Sequence, residues 1–158
     1  MKIHNTHHRV IAASAAQVGQ LLDTLGSAQD QVWPIPQWPA VKLDRPLQVG
    51  ATGGHGPIRY HVSEYEPGRR IRFQFEPDWN GYHECKITAL GPHQCQLSHV
   101  IAADPGWSFS LRWLALIRPM HDALIEDLFD RVESHFAPVA QPQFWSAGVR
   151  LGRWMMGA

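Results

Sequence analysis

Apolar and polar positions recur with two different periods along this chain, and the changes of period divide it into elements. Residues Ile3–Ile11 alternate loosely and end on the β-branched pair Val10 and Ile11, which predicts a first strand. Ser14 then supplies an N-cap, and Ala15, Ala16, Val18, Leu21, Leu22 and Leu25 follow at helical spacing until Gly26 stops the helix. The stretch Trp33-Pro34-Ile35-Pro36-Gln37-Trp38-Pro39 is too broken by proline for a long helix. It predicts a second short helix or a turn that lays both tryptophans against the core.

From Val41 the period becomes two. Ile58, Tyr60 and Val62 alternate with Arg59, His61 and Ser63, and after the turn Glu66-Pro67-Gly68 residues 70–75 alternate again. Residues 82–89 predict a further strand, Gly91-Pro92 turns the chain, and residues 94–103 predict the next. Connections this short require antiparallel pairing, and a sheet with one polar face needs an apolar cover on the other. That cover comes last. Residues 107–136 have helical periodicity, with Leu114, Ile117, His121, Leu124, Leu128 and Val132 on one stripe and Ile125, Phe129 and Phe136 along its edge. Asp122, Glu126, Asp130 and Glu133 face the other way, and Pro119 predicts a kink or a division into two helices. The expected architecture is α+β: a curved antiparallel sheet of six or seven strands wrapped around a long C-terminal helix, with two short helices after the first strand.

Three stretches carry a resemblance: "HHRVIAASAAQVGQLLDTL", "VSEYEPGRRIRFQF" and "RPMHDALIEDLFDRVE". Over residues 3–136 the pattern resembles the SRPBCC superfamily, the helix-grip proteins that include START-like, Bet v 1-like and polyketide cyclase/dehydrase members. The resemblance implies a deep cavity between sheet and long helix, holding a lipid, a polyketide or another apolar molecule. It does not fix an activity, since members include carriers, cyclases, oxygenase subunits and co-chaperones.

Composition narrows the function classes. A chain of 158 residues suits one domain with a full core, and 44% hydrophobic with 18% charged residues is ordinary for a globular protein. A formal net charge of zero argues against nucleic acid as partner, because phosphate recognition needs clustered cations. Cys85 and Cys95 lie in strand-like runs and are expected as buried free thiols. The start of the chain is polar and rich in histidine, and no apolar run approaches the ~20 residues of a membrane span. The expectation is a cytoplasmic protein.

Ten histidines are the unusual feature. Strand alternation puts His83 on the face of Cys85 and Ile87, and His99 on the face of Cys95, Leu97 and Ile101, while His121 lies on the helix stripe. If the helix crosses the sheet, these three rings converge on one cavity near Tyr60, where an imidazole can act as acid or base; each can equally be a core histidine satisfied by a carbonyl or water. No HExxH, Cys-x-x-Cys or tight His/carboxylate cluster is present in the sequence, so no metal and no cofactor are expected. His7 and His8 point to opposite faces and are expected to be solvated. Gly50, Gly53, Gly54 and Gly56 around His55 have no following Lys or helix start, which leaves a gate or a plain hairpin in place of a phosphate loop. Trp33, Trp38, Tyr60, Phe73, Phe75, Trp113 and Phe129 either line a cavity or fill the core.

The expected ligand-binding set is Trp33, Trp38, Tyr60, Phe73, Phe75, His83, Leu97, His99, Ile117, His121, Leu124 and Leu128. The leading expectation is a binding protein for a small hydrophobic ligand. A cyclase- or dehydratase-like enzyme using His99 or His121 and a co-chaperone or stress-response module are the alternatives. Residues 1–137 form the ligand-binding domain, and residues 138–158 form an apolar, basic tail with a short helix over 144–156. For that helix a homodimer contact is the first expectation, membrane docking the second and simple fraying the third.

Overall fold

The structure, a computed structural model, describes residues 2–76, 80–139 and 142–155. Met156, the last residue of the expected tail helix, lies outside them. Seven strands form one antiparallel sheet: β1 (Ile3–Ile11), β2 (Lys42–Leu43), β3 (Thr52–His55), β4 (Ile58–Glu66), β5 (Arg70–Glu76), β6 (Gly81–Gly91) and β7 (Gln94–Ala103). Their order is β1-β7-β6-β5-β4-β3-β2, so the first strand closes onto the last and the remainder is a meander. Register shifts at Val62/Glu64 and Ala89/Gly91 interrupt two ladders, and bulges of this kind bend a sheet. The inward face is mainly apolar, with Val62, Ile71, Phe73, Ile87, Leu97 and Ile101 all buried, and His83 and His99 are buried among them.

Helix α1 (Ala15–Leu22) starts at a capping box in which Ser14 and Gln17 satisfy each other's backbone. Its far end is tied to the β4–β5 turn by Asp23, which accepts from Tyr65 Oη at 2.9 Å and from the Gly68 amide at 2.8 Å. Gly19 is needed there: a Cβ would stand 2.3 Å from the Gly68 carbonyl oxygen. Of the two short helices expected after β1, only α1 is helical. The 33–39 stretch is a run of turns, because Pro34, Pro36 and Pro39 remove successive amide donors.

The last sheet strand leads into α2 (Trp107–Arg112), a π-helical turn (Trp113–Ile117) and α3 (Arg118–Ser134). The widened turn comes just before Pro119, which enters α3 at its first turn where no amide donor is needed. It also changes which side chains face inward: Trp113 is buried, whereas Leu114, expected on the stripe, is 46% exposed. Beyond it Leu124, Ile125, Leu128, Phe129 and Val132 pack onto the sheet as the periodicity predicted.

The acidic side of α3 does not face only solvent. Between the buried Ile3 and Ile11, the inward positions of edge strand β1 are Asn5, His7 and Arg9, and they meet Asp122, Glu126, Asp130 and Glu133. Arg9 alone reaches Glu126, Asp130 and Glu133 at 2.7–2.8 Å. The tail forms α4 (Ala147–Met155), three residues shorter at its start than expected. It lies on its own chain: Trp145 Nε1 donates to Asp127 at 2.8 Å, and the Arg153 guanidinium stacks 3.8 Å from the Trp145 ring centre. Val149 is buried, while Phe144, Leu151, Trp154 and Met155 stay exposed.

Candidate functional site

Between the concave sheet and the α3 run lies a cavity of about 300 Å³. The sheet supplies Tyr60, Phe73, Phe75, His83, Cys85 and His99 as one wall, and Trp113, Ile117, His121, Leu124 and Leu128 form the opposite one. Trp33, Trp38, Val41, His55 and Pro57 close an end. The proline-broken segment is held there by two indoles, Trp33 donating to the Pro39 carbonyl at 2.9 Å and Trp38 to Asp127 at 2.6 Å. Asp127 thus joins the 33–39 segment, α3 and the tail at one carboxylate, and burial raises its pKa against the effect of both indole donors.

Eleven of the twelve residues singled out from the sequence line this cavity. Leu97 does not. It is buried on the same sheet face but nearer the α1 end, where it fills core instead of lining space. Other lining residues lay outside that set, His55, Met120 and Ile125 among them. His55, treated as part of a glycine-rich hairpin, turns inward from β3 with its Nδ1 3.2 Å from Tyr60 Oη and its ring 4.8 Å from Trp33. Met120 and Ile125 line the helix side beyond the predicted stripe. For His55 a signal existed, since it pairs with Ile58 in a two-residue hairpin and so shares the face of Tyr60.

The polar character of the cavity lies in a row of rings. His83 stacks between Phe73 and Phe75 at 4.8 and 5.1 Å, with its Nδ1 3.4 Å from His99 Nε2. His99 in turn lies 5.1 Å from His121, and His121 lies 6.0 Å from His7. Among the described residues, His83 Nε2, His99 Nδ1 and both nitrogens of His121 are buried without a hydrogen-bond partner. His121 Nδ1 stands 3.6 Å from Asp122 Oδ1, too long for a hydrogen bond.

Burial decides the protonation of this row. It lowers His83 and His99 well below the ordinary imidazole range, lowers His55 to about 4, and lowers His121 against the pull of Asp122. All four are neutral at pH 7. Burial also raises the Tyr60 phenol and pushes the Cys85 thiol up to about 12, which leaves Cys85 inert as a nucleophile. His7 behaves oppositely. The expectation that it is solvated fails, because β1 turns it toward α3: its Nε2 lies 3.0 Å from Asp122 and its Nδ1 2.7 Å from Glu126. The Asp122 contact raises its pKa despite burial.

No family model matches the chain, and no curated protein matches it by sequence. Solved structures do. A norcoclaurine synthase point mutant from Thalictrum flavum, in complex with a transition-state analogue, superposes with a TM-score of 0.66 at 14% identity, covering 87% of this chain and 98% of that one. A solution structure from Thermobifida fusca gives 0.65 at 17% identity over 85% and 96%. A START superfamily protein from Mycobacterium smegmatis gives 0.54 at 13% identity over 84% and 95%. The fold is therefore the Bet v 1-like, START-like helix-grip fold expected from the sequence, and identities this low establish the fold alone.

Proposed function

We propose that the protein binds a small, largely apolar, ring-containing molecule in this cavity and anchors its one polar group on the His83–His99–His121 row. The observation that carries this reading is the coincidence of apolar walls with buried imidazole nitrogens that lack partners. Buried polar groups are normally satisfied, and pockets that hold apolar ligands use a few such groups to orient them. The volume is near the low end for ligand sites, which favours one or two rings over a long acyl chain. Two reduced thiols, both buried, fit a cytoplasmic setting.

A cyclase- or dehydratase-like reaction is the second reading, favoured by the 3.4 Å approach of His83 and His99. It is the weaker one, because imidazoles held far below neutrality are poor bases at pH 7. Native mass spectrometry of freshly purified protein tests the binding reading. A co-purified small molecule that is retained by wild type and lost from His99→Leu supports it. Bare protein with no uptake of any offered aromatic alcohol or ketone contradicts it.

A further inference from the structure

We propose that His7, His121 and Asp122 form a site for one divalent first-row transition-metal ion of the zinc class, with its open coordination position facing the cavity. The sequence shows no such cluster because 114 residues separate His7 from His121, and only the packing of β1 on α3 brings them together. One ring nitrogen of each histidine and one Asp122 oxygen lie within 4.8 Å of one another. Two of the separations are 3.0 Å, from His7 Nε2 to Asp122 Oδ1, and 3.6 Å, from His121 Nδ1 to the same oxygen. Donors bound to a tetrahedral ion at ~2.0–2.1 Å stand roughly 3.3 Å apart. Both separations from Asp122 are within about 0.3 Å of that spacing, and the two ring nitrogens, within 4.8 Å of each other, would draw together on a shared ion.

Three further observations separate this cluster from an ordinary ion pair. His121 has both ring nitrogens buried and unpartnered beside the carboxylate. A ring that merely packed on the helix stripe would leave that deficit unrelieved, whereas coordination uses one of the two lone positions. His7 Nδ1 donates to Glu126 Oε1 at 2.7 Å, and its Nε2 donates to Asp122 Oδ1 at 3.0 Å in the metal-free protein, so an ion that takes Nε2 and Oδ1 as ligands displaces that one proton while Glu126 keeps the ring oriented. Glu126 is itself fixed, since its other oxygen accepts from Arg9 at 2.8 Å. The carboxylate and histidine of the carboxylate–histidine–metal relay that tunes many metal sites are thus already paired. Finally, Asn5 Nδ2 donates to Asp122 Oδ1 at 3.1 Å and Arg118 lies 3.5 Å from Oδ2, so the carboxylate is oriented from outside the cluster.

Two imidazoles and one carboxylate leave at least one coordination position for a further donor. His121 is the member that lines the cavity, so that position opens toward it. Resting on the ligand reading above, the polar group of the bound molecule is then an oxygen donor that can ligate a cation, such as a carboxylate, a phenolate or an enolate.

The experiment is a titration of metal-stripped full-length protein with Co²⁺, followed by visible absorption, and with Zn²⁺, followed by calorimetry. One equivalent should bind, with the band intensity of a four- or five-coordinate ion. His121→Leu adds an apolar side chain to an apolar stripe and should fold, yet it should weaken binding at least tenfold, as should Asp122→Asn. Glu126→Gln should weaken it about 10–100-fold, and His93→Ala in the exposed β6–β7 turn should leave it unchanged. Absence of a one-equivalent site in wild type, or unchanged affinity in His121→Leu, overturns the proposal. Uptake of N-phenyl-1-naphthylamine by the metal-free protein is measured in parallel. Probe uptake without Co²⁺ binding removes the metal site and keeps the cavity reading, and the reverse result does the opposite.

Discussion

Each cavity imidazole is neutral because burial outweighs every other influence on it, and this makes the pH response of the fold predictable. His55 faces Trp33 and Tyr60, with the Arg59 guanidinium opposing its protonation further, and His83 faces Tyr60, Phe73, Phe75 and His99. Between pH 6.5 and about 4 the unfolded chain protonates His55 while the folded chain does not. The folded state therefore loses stability as pH falls through that window, and His83 adds a loss of the same sign. At ~1.4 kcal/mol per pH unit, His55 alone accounts for up to about 3 kcal/mol. Urea unfolding midpoints measured from pH 7.5 to 4 should fall monotonically below pH 6.5, and a flat profile would contradict the burial of these rings. His121→Leu removes two unsatisfied buried nitrogens, and it should raise metal-free stability by about 1 kcal/mol in the same assay. A loss of several kcal/mol would show that its nitrogens have partners after all.

Among the elements, the β1–α3 contact is the part held by charge. Arg9 serves three carboxylates while its own side chain is 19% exposed, and those contacts keep its guanidinium charged despite burial. Arg9→Met leaves three acids facing one another across the edge strand. It should cost about 3 kcal/mol, read as a lower unfolding midpoint, because breaking such a network costs more than its presence contributes. The tail is the second such element. Its Trp145 and Arg153 dock on the domain at Asp127 and Trp38, while Phe144, Leu151, Trp154 and Met155 face outward. If that outward face pairs with a second copy, deletion of residues 138–158 should lower the mass seen by light scattering. An unchanged mass would leave α4 as a cover beside the cavity. Strands were legible at this scale because alternation depends only on neighbours in sequence: residues 94–103 were bounded as β7 is. What sequence did not disclose depends on contacts across the fold. His7 is polar like its solvated neighbour His8, and only α3 distinguishes them; Leu114 fits the apolar stripe until the π-helical turn shifts the register.

At the scale of the whole molecule, a bent sheet and one long helix pack together without filling all the volume between them, and the remainder is the cavity. The residues around that space were mostly readable, since inward strand positions and one helix stripe must face each other. Leu97 was misplaced, because alternation gives the face of a residue and not its place along the strand, and His55 was missed because its hairpin register was not read. A binding site and a packing defect of this size differ in whether an apolar molecule enters. Fluorescence titration with N-phenyl-1-naphthylamine tests that entry most directly, with wild type compared against Leu124→Trp, whose indole would occupy the cavity. One probe should bind per wild-type chain, and Leu124→Trp should lose at least tenfold in affinity while remaining as stable as wild type. Probe binding that is absent from wild type, or equal in both proteins, would contradict the binding reading.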